Sequence, residues 1–294
     1  MKKRARKTPR RTSRKDLKPW KKLGLGGKVW RALWVALLIF FVFSFCQVLL
    51  FKFVNPAYTP LMAIRHFEQK KDPSRQERCA RQWVSLDDVA PVMQNTLIAS
   101  EGGGVFLYNR GFVFDYLRKA YLINEHHRRG YLVGGSSISQ QTAKNCFLYP
   151  GKSWLRKGLE TYYTILIEAL WGKKRIMECY LNVIEFADGI YGVEAASQYY
   201  FGHPASMLTK EEARQLASAL PCPIAGNPNH PNGVYDWMYN NIGRFDITNA
   251  PVNWDAKRSD LAPADRAEAK KGLVFFFKWM VLHEWRQHFA DNKS

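Results

Sequence analysis

Residues 134–145 read GGSSISQQTAKN, a polar island in a chain rich in aromatic and branched residues. Two glycines, three serines, a threonine, two glutamines and an asparagine surround Ile138, Ala143 and a single cation, Lys144. Linkers share the glycines and serines. They rarely carry paired glutamines ahead of a lone lysine and then an apolar run such as Cys146, Phe147 and Leu148. The composition is that of a segment that grips something.

On either side the chain reads as mostly helical, in one domain over residues 55–250. Ser85-Leu-Asp-Asp88 has capping-box spacing ahead of an apolar segment through Val89, Val92 and Leu97 to Ala99, which places Glu101 at a helix end. Gly102, Gly103 and Gly104 then open a loop that closes at Asn109, Arg110 and Gly111, before a helix bearing Phe114, Leu117, Tyr121 and Leu122. A further helix is expected over Trp154 to Trp171 and another through Cys179 to Asn182. Thr209-Lys-Glu-Glu212 caps a last one that Pro221 stops. No internal repeat is visible.

The 294 residues, 47% hydrophobic and 14% aromatic, suffice for a substantial core and extra segments. The net charge of +19 is uneven: residues 1–28 hold thirteen lysines and arginines against Asp16 alone. Such an arm, residues 1–30, does not bury enough apolar surface to order itself, and its partners are anionic. From Ala32 to Phe51 follow twenty uncharged residues, ALWVALLIFFVFSFCQVLLF, which as a helix span roughly 30 Å, the thickness of a bilayer core. Residues 31–54 therefore read as a transmembrane anchor, and no small-x-small cleavage site follows it. By the positive-inside rule the chain crosses once, with its amino terminus cytoplasmic and its domain outside. The same rule and anionic lipid account for the arm's cations, so nucleic acid is not the expected partner.

Cys46, Cys79, Cys146, Cys179 and Cys222 are odd in number and scattered, unlike a disulfide framework or a zinc site. His126 and His127 suit a solvated turn. Residues 251–294 read as a helical extension whose apolar run, 273–282, is too short to span and forms a packed or interfacial helix. Two acids stand out by location. Glu101 lies against a glycine loop, where a carboxylate can project into a cleft, although spacing alone favours a solvated loop acid. Arg156 and Glu160, four apart, share a helix face beside Lys157, which spacing alone reads as a surface ion pair.

These residues carry a resemblance. GGSSISQQTAKN resembles the G-x-S-T-I-T/S-Q-Q-x-x-K-N motif of the peptidoglycan glycosyltransferases, lysozyme-like enzymes found alone or fused to penicillin-binding transpeptidases. Ser100-Glu101, Phe106, Asn109 and Gly111 resemble the family's first motif. Arg156, Lys157 and Glu160 match its third, and Lys173, Ile176, Met177, Glu178, Tyr180, Leu181 and Asn182 its fourth. Residues 188–202, DGIYGVEAASQYYFG, continue the likeness through Glu211, Glu212, Ala213 and the Leu220-Pro221 turn. Two departures stand out. Gly102 replaces the usual aspartate in a loop one residue longer, and the fifth, basic motif has no clear counterpart around residues 233–246. The chain ends at Ser294 without a transpeptidase segment, so the likeness is to the monofunctional type.

The resemblance implies a mainly α, lysozyme-like glycosyltransferase domain behind the membrane helix, in the bacterial inner membrane. It implies lipid II and the growing glycan strand as partners, alongside other cell-wall synthesis proteins. Glu101 would be the general base, and Glu160, also catalytic, would complete the cradle for the pyrophosphate with Arg156 and Lys157. Ser136, Gln140, Gln141, Lys144, Asn145, Arg156, Lys157 and Asn109 would bind substrate, with Ser136, Gln140 and Lys144 on one face if that segment is helical. Displacing a pyrophosphate builds negative charge, which fixed donors and cations stabilise. No cofactor is required, and a divalent cation, Mg or Mn, is an optional occupant between Glu160 and the pyrophosphate. The alternatives are a lysozyme-like glycan hydrolase, a non-catalytic lipid II-binding scaffold and a membrane-bound nucleic-acid binder.

Overall fold

The computed structural model describes residues 25–101, 105–113, 134–151 and 153–261. The basic arm before residue 25, Gly102–Gly104, the helix expected around Phe114 to Leu122, His126 and His127, and the run 273–282 lie outside the described residues.

The chain divides into two compact units, Met1–Cys46 and Gln47–Ser294. In the first, the described residues belong to helix α1 (Leu25–Phe53), which is long and apolar enough to cross a membrane. Its large side chains are bare: Trp34, Leu38, Ile39 and Phe43 are all more than half exposed. A soluble core helix would bury one side of that surface, whereas lipid accepts all of it.

The second unit begins with the last turns of α1. Helix ends leave carbonyls without intrahelical partners. Here Trp171 donates from Nε1 to the Val48 carbonyl (2.8 Å), and Arg175 donates from Nη2 to the carbonyls of Phe51 (2.8 Å) and Val54 (3.1 Å). Phe51 stacks on Phe147, and Val48 is fully buried.

Helix α2 (Pro60–Lys71) is capped by Thr59, and α3 (Pro91–Ser100) ends with Glu101 as its C-cap, as expected. The capping box read at Ser85 does not open α3, which is a correction. Leu86–Asp88 form a separate 3-10 turn, and Ser85 Oγ donates to Asp88 Oδ2 (2.7 Å) instead of accepting a backbone N–H. The reason is Pro91: its ring excludes a helix running through it from Leu86 and biases Ala90 to an extended backbone, so α3 starts with proline in its first turn.

Then come α4 (Ile138–Phe147), α5 (Trp154–Leu170) and α6 (Lys173–Val183). A three-stranded sheet not foreseen in the sequence follows, ordered β1 (Ala80–Arg81), β3 (Ile190–Tyr191), β2 (Glu185–Ala187). Strands of two or three residues are too short to show a period-two pattern. Asp188 holds the β2–β3 turn in place, accepting from Gln69 Nε2 (2.9 Å) and Arg75 Nε (2.8 Å). Helices α7 (Val193–Phe201), α8 (Lys210–Ala219) and α9 (Gly233–Ile242) complete the described domain. The Thr209 capping box forms as read, with Glu212 Oε2 accepting from the Thr209 N–H (2.9 Å), and α8 stops just before Pro221.

At the centre lies α4, packed against both α5 and α6. Ile138, Ala143 and Cys146 from α4, Ile167 from α5 and Ile176, Met177 and Tyr180 from α6 are all buried in one core. Of the ten residues of α4, only Gln141 and Lys144 are not buried, and they lie three apart on one face.

Candidate active site

The polar stretch 134–145 works at two levels. Ser137 is the N-cap of α4: its hydroxyl accepts from the Gln140 N–H (3.3 Å), while Gln140 Oε1 accepts from the Ser137 N–H (3.1 Å). This reciprocal capping box satisfies two orphan donors at the helix start. Gln140 is fully buried, and Asn145 is likewise buried. Ser136 precedes the helix. The shared face expected of Ser136, Gln140 and Lys144 is therefore replaced by one made of Gln141 and Lys144.

Gln141 meets Glu101. Its Nε2 donates to Glu101 Oε2 at 2.7 Å and to the Ser136 carbonyl at 3.2 Å, while its Oε1 accepts from the Tyr180 hydroxyl at 3.2 Å. Burial pushes the Glu101 carboxyl above its ordinary value, and the Gln141 hydrogen bond and the positive charge of Lys144 only partly offset this. A half-buried carboxylate of raised basicity at a helix end is equipped to take a proton.

On the other side of Lys144 lies the cluster from α5. Arg156 Nη1 bonds Glu160 Oε2 at 2.6 Å, Lys157 Nζ bonds Glu160 Oε1, and Lys157 Nζ also donates to Ser136 Oγ at 3.1 Å. Ser153 caps α5 by accepting from the Arg156 N–H, and Arg156 Nε donates to the Gly151 carbonyl at 2.5 Å, which holds the guanidinium in place. Glu160 is 2% exposed, so it is the counter-ion that allows two cations to sit side by side. Lys144 makes no ion pair among the described residues. Burial lowers its ammonium pKa, Arg156, Lys157 and Arg65 push the same way, and Glu160 opposes them. A desolvated cation beside two more is a site prepared for an anion.

Both Glu160 oxygens are thus occupied by cations, and no group of three His, Cys, Asp or Glu able to hold a metal occurs among the described residues. Glu160 as it stands does not fit a metal site built by the protein. Asn109 is also committed elsewhere. It is buried, and its Oδ1 accepts from the Gly111 N–H (2.9 Å) and Lys173 Nζ (3.1 Å). Lys173 pairs in turn with Glu168 (2.7 Å), and Ser137 Oγ donates to the Gly111 carbonyl, so this network ties the Glu101 loop to α4, α5 and α6. The structure thus brings together Glu101, Gln141, Lys144, Ser136, Arg156, Lys157 and Glu160, whereas Gln140, Asn145 and Asn109 are buried in the domain.

A family model described as transglycosylase matches residues 69–239, which contain every one of these side chains. The chain belongs to the transglycosylase family. Its relatives include the biosynthetic peptidoglycan transglycosylase of Caulobacter vibrioides, 49% identical over 60% of this chain and 73% of the relative. That of Xylella fastidiosa is 41% identical over 73% of this chain and 87% of the relative. That of Bdellovibrio bacteriovorus is 46% identical over 66% and 78%. Within this transglycosylase, sequence reasoning gave Tyr180 no role of its own. Its signal was present only as a hydroxyl on an otherwise apolar face of α6.

Proposed function

We propose that this transglycosylase builds peptidoglycan, polymerising lipid II into linear glycan strands by β-1,4 transfer with release of polyprenyl pyrophosphate. The observation that carries the proposal is the adjacency of a basic carboxylate, Glu101, to a row of cations, Lys144, Arg156 and Lys157, of which Lys144 is desolvated and without an ion pair among the described residues. Glu101 removes the proton from the acceptor sugar's 4-hydroxyl as that oxygen bonds the donor's anomeric carbon. The bond from that carbon to the pyrophosphate breaks, its electron pair leaves with the pyrophosphate, and the configuration inverts. The cations stabilise the charge that develops on the departing oxygens. A divalent cation would bind chiefly through pyrophosphate oxygens, since Glu160 is already held by Arg156 and Lys157, and no step is assigned to it. The same commitment of Glu160 disfavours a hydrolase, which needs, beside an acid such as Glu101, a second carboxylate free to act as nucleophile or base.

The exposed apolar surface of α1 supports anchoring in the inner membrane, and the thirteen cations of residues 1–28 support a cytoplasmic amino terminus with the domain on the opposite side. Anchored enzyme and polyprenyl substrate then meet in two dimensions, which raises their effective concentration.

The test is incubation of the full chain in detergent with lipid II, with products separated by size. Glu101→Gln should lower polymerisation by roughly two orders of magnitude while lipid II binding survives. A near wild-type rate removes Glu101 as base. Lipid II binding without polymer from the unmodified protein would make it a scaffold, and cleavage of finished glycan in place of extension would make it a hydrolase.

A further inference from the structure

We propose that Tyr180 is a positioning residue for this proton transfer: its hydroxyl holds the Gln141 amide with nitrogen toward Glu101, occupying Oε2 and leaving Oε1 to take the acceptor's proton. The inference rests on Glu101 being the base.

The geometry is a chain across three helices. Tyr180 on α6 is fully buried, so its ring is fixed by packing and its hydroxyl has little freedom. That hydroxyl lies 3.2 Å from Gln141 Oε1 on α4, and Gln141 Nε2 lies 2.7 Å from Glu101 Oε2 at the end of α3. The direction of the amide follows from chemistry. The Ser136 carbonyl, 3.2 Å from Nε2, only accepts, and so does an ionised Glu101. Flipping the amide would set its oxygen against both. The Ser136 carbonyl and the carboxylate set that direction, and the Tyr180 hydroxyl, bonded to the oxygen end, anchors the side chain in the position that keeps Nε2 on Glu101 Oε2. Among the described residues Glu101 Oε1 receives no hydrogen bond, and it is the oxygen left for the substrate.

An amide N–H directed at a carboxylate favours the ionised form, so an unanchored amide that leaves Oε2 favours the protonated one. Among the described residues the groups facing Glu101 are Gln141 and Lys144 from α4, with the Tyr180 hydroxyl behind Gln141. The ionised groups Arg156, Lys157 and Glu160 of α5 and Arg65 of α2 bear on Lys144. None of these charged groups is altered in Tyr180→Phe, and the comparison with the Gln141→Leu background isolates the part that passes through the amide.

The experiment measures pH profiles of kcat/KM for lipid II polymerisation in wild type, Tyr180→Phe, Gln141→Leu and the double variant, with melting curves for each. Tyr180→Phe should lower kcat about tenfold with KM little changed and should move the acid limb to higher pH. Gln141→Leu, at a half-exposed position, should move the limb in the same direction. In the Gln141→Leu background Tyr180→Phe should have no further effect on the limb, because the proposed influence on Glu101 passes through Gln141. An unmoved limb in Gln141→Leu overturns the proposal even if Tyr180→Phe fails to fold. An equal Tyr180→Phe effect with and without Gln141 overturns it as well. If Glu101→Gln is inactive while the limb is unmoved, only this inference falls; if Glu101→Gln polymerises normally, the assignment of the base falls and this inference with it.

Discussion

Replacing Lys144 by methionine should raise the melting temperature of the protein while removing most of its activity. The lysine is half-buried on α4, and its ammonium is desolvated and has no ion-pair partner among the described residues; Glu160 attracts it while Arg156, Lys157 and Arg65 repel it. Methionine keeps the stem's packing and removes the charge. Relief of an unfavourable functional charge is worth about 1 kcal/mol, or roughly 2–4 °C for a domain of this size. The pH dependence has a definite sign. Because the folded pKa lies below the ordinary 10.5, the unfolded chain binds more protons between the two values, so wild-type stability rises with pH across that window. The variant's advantage should therefore be largest near neutrality and shrink as pH approaches 10.5. Activity should fall roughly 30- to 150-fold in kcat/KM if the charged contact is worth about 2–3 kcal/mol in the transition state. Melting followed by circular dichroism at neutral and alkaline pH, beside lipid II turnover, checks both halves. A variant that melts lower at neutral pH, or whose advantage grows with pH, would show Lys144 to be a structural ion-pair partner and refute the reasoning.

Gly111→Ala should lower the melting temperature by at least ~5 °C, since its φ of +88° is left-handed and a Cβ would stand 2.7 Å from Thr164 Cγ2 and 2.9 Å from Glu168 Cγ. An unchanged melting temperature would mean that the Asn109–Glu168 network yields easily. Arg156→Lys should lose more than about tenfold in kcat/KM, because a point charge does not span Glu160 Oε2 and the Gly151 carbonyl while facing a phosphate; equal rates would show that charge alone suffices. The raised carboxyl of Glu101 should place the acid limb of kcat/KM above the ordinary value of 4.5, with activity lost as pH falls through it, and a limb at or below that value in the pH profile would count against this environment.

How far the fold and site were legible depends on what each signal competes with. Thr209 and Ser85 present the same spacing of a hydroxyl and an acid three residues on, yet only Thr209 starts an α-helix, because Pro91 lies where an α-helix begun at Leu86 would need a backbone donor. The membrane helix was legible because twenty uncharged residues have few other destinations, whereas β1 and β3 hold too few residues for any period to register. Within GGSSISQQTAKN the residue types announced a site but not the division of labour. Gln140 and Gln141 are adjacent and identical, yet a rotation of about 100° about the helix axis sends one into the capping box and the other toward Glu101. That division turns on the single residue at which the helix begins, Ile138, which spacing did not fix. Arg156 and Glu160 were readable as a pair from their i, i+4 spacing, but the burial that converts a surface pair into a cation platform comes from packing against α4. Tyr180 is the limiting case. A tyrosine at an apolar helical position reads as core, and its ring is core. Whether its hydroxyl serves the chemistry depends on a partner 39 residues earlier, which only the packing of α6 on α4 brings within 3.2 Å.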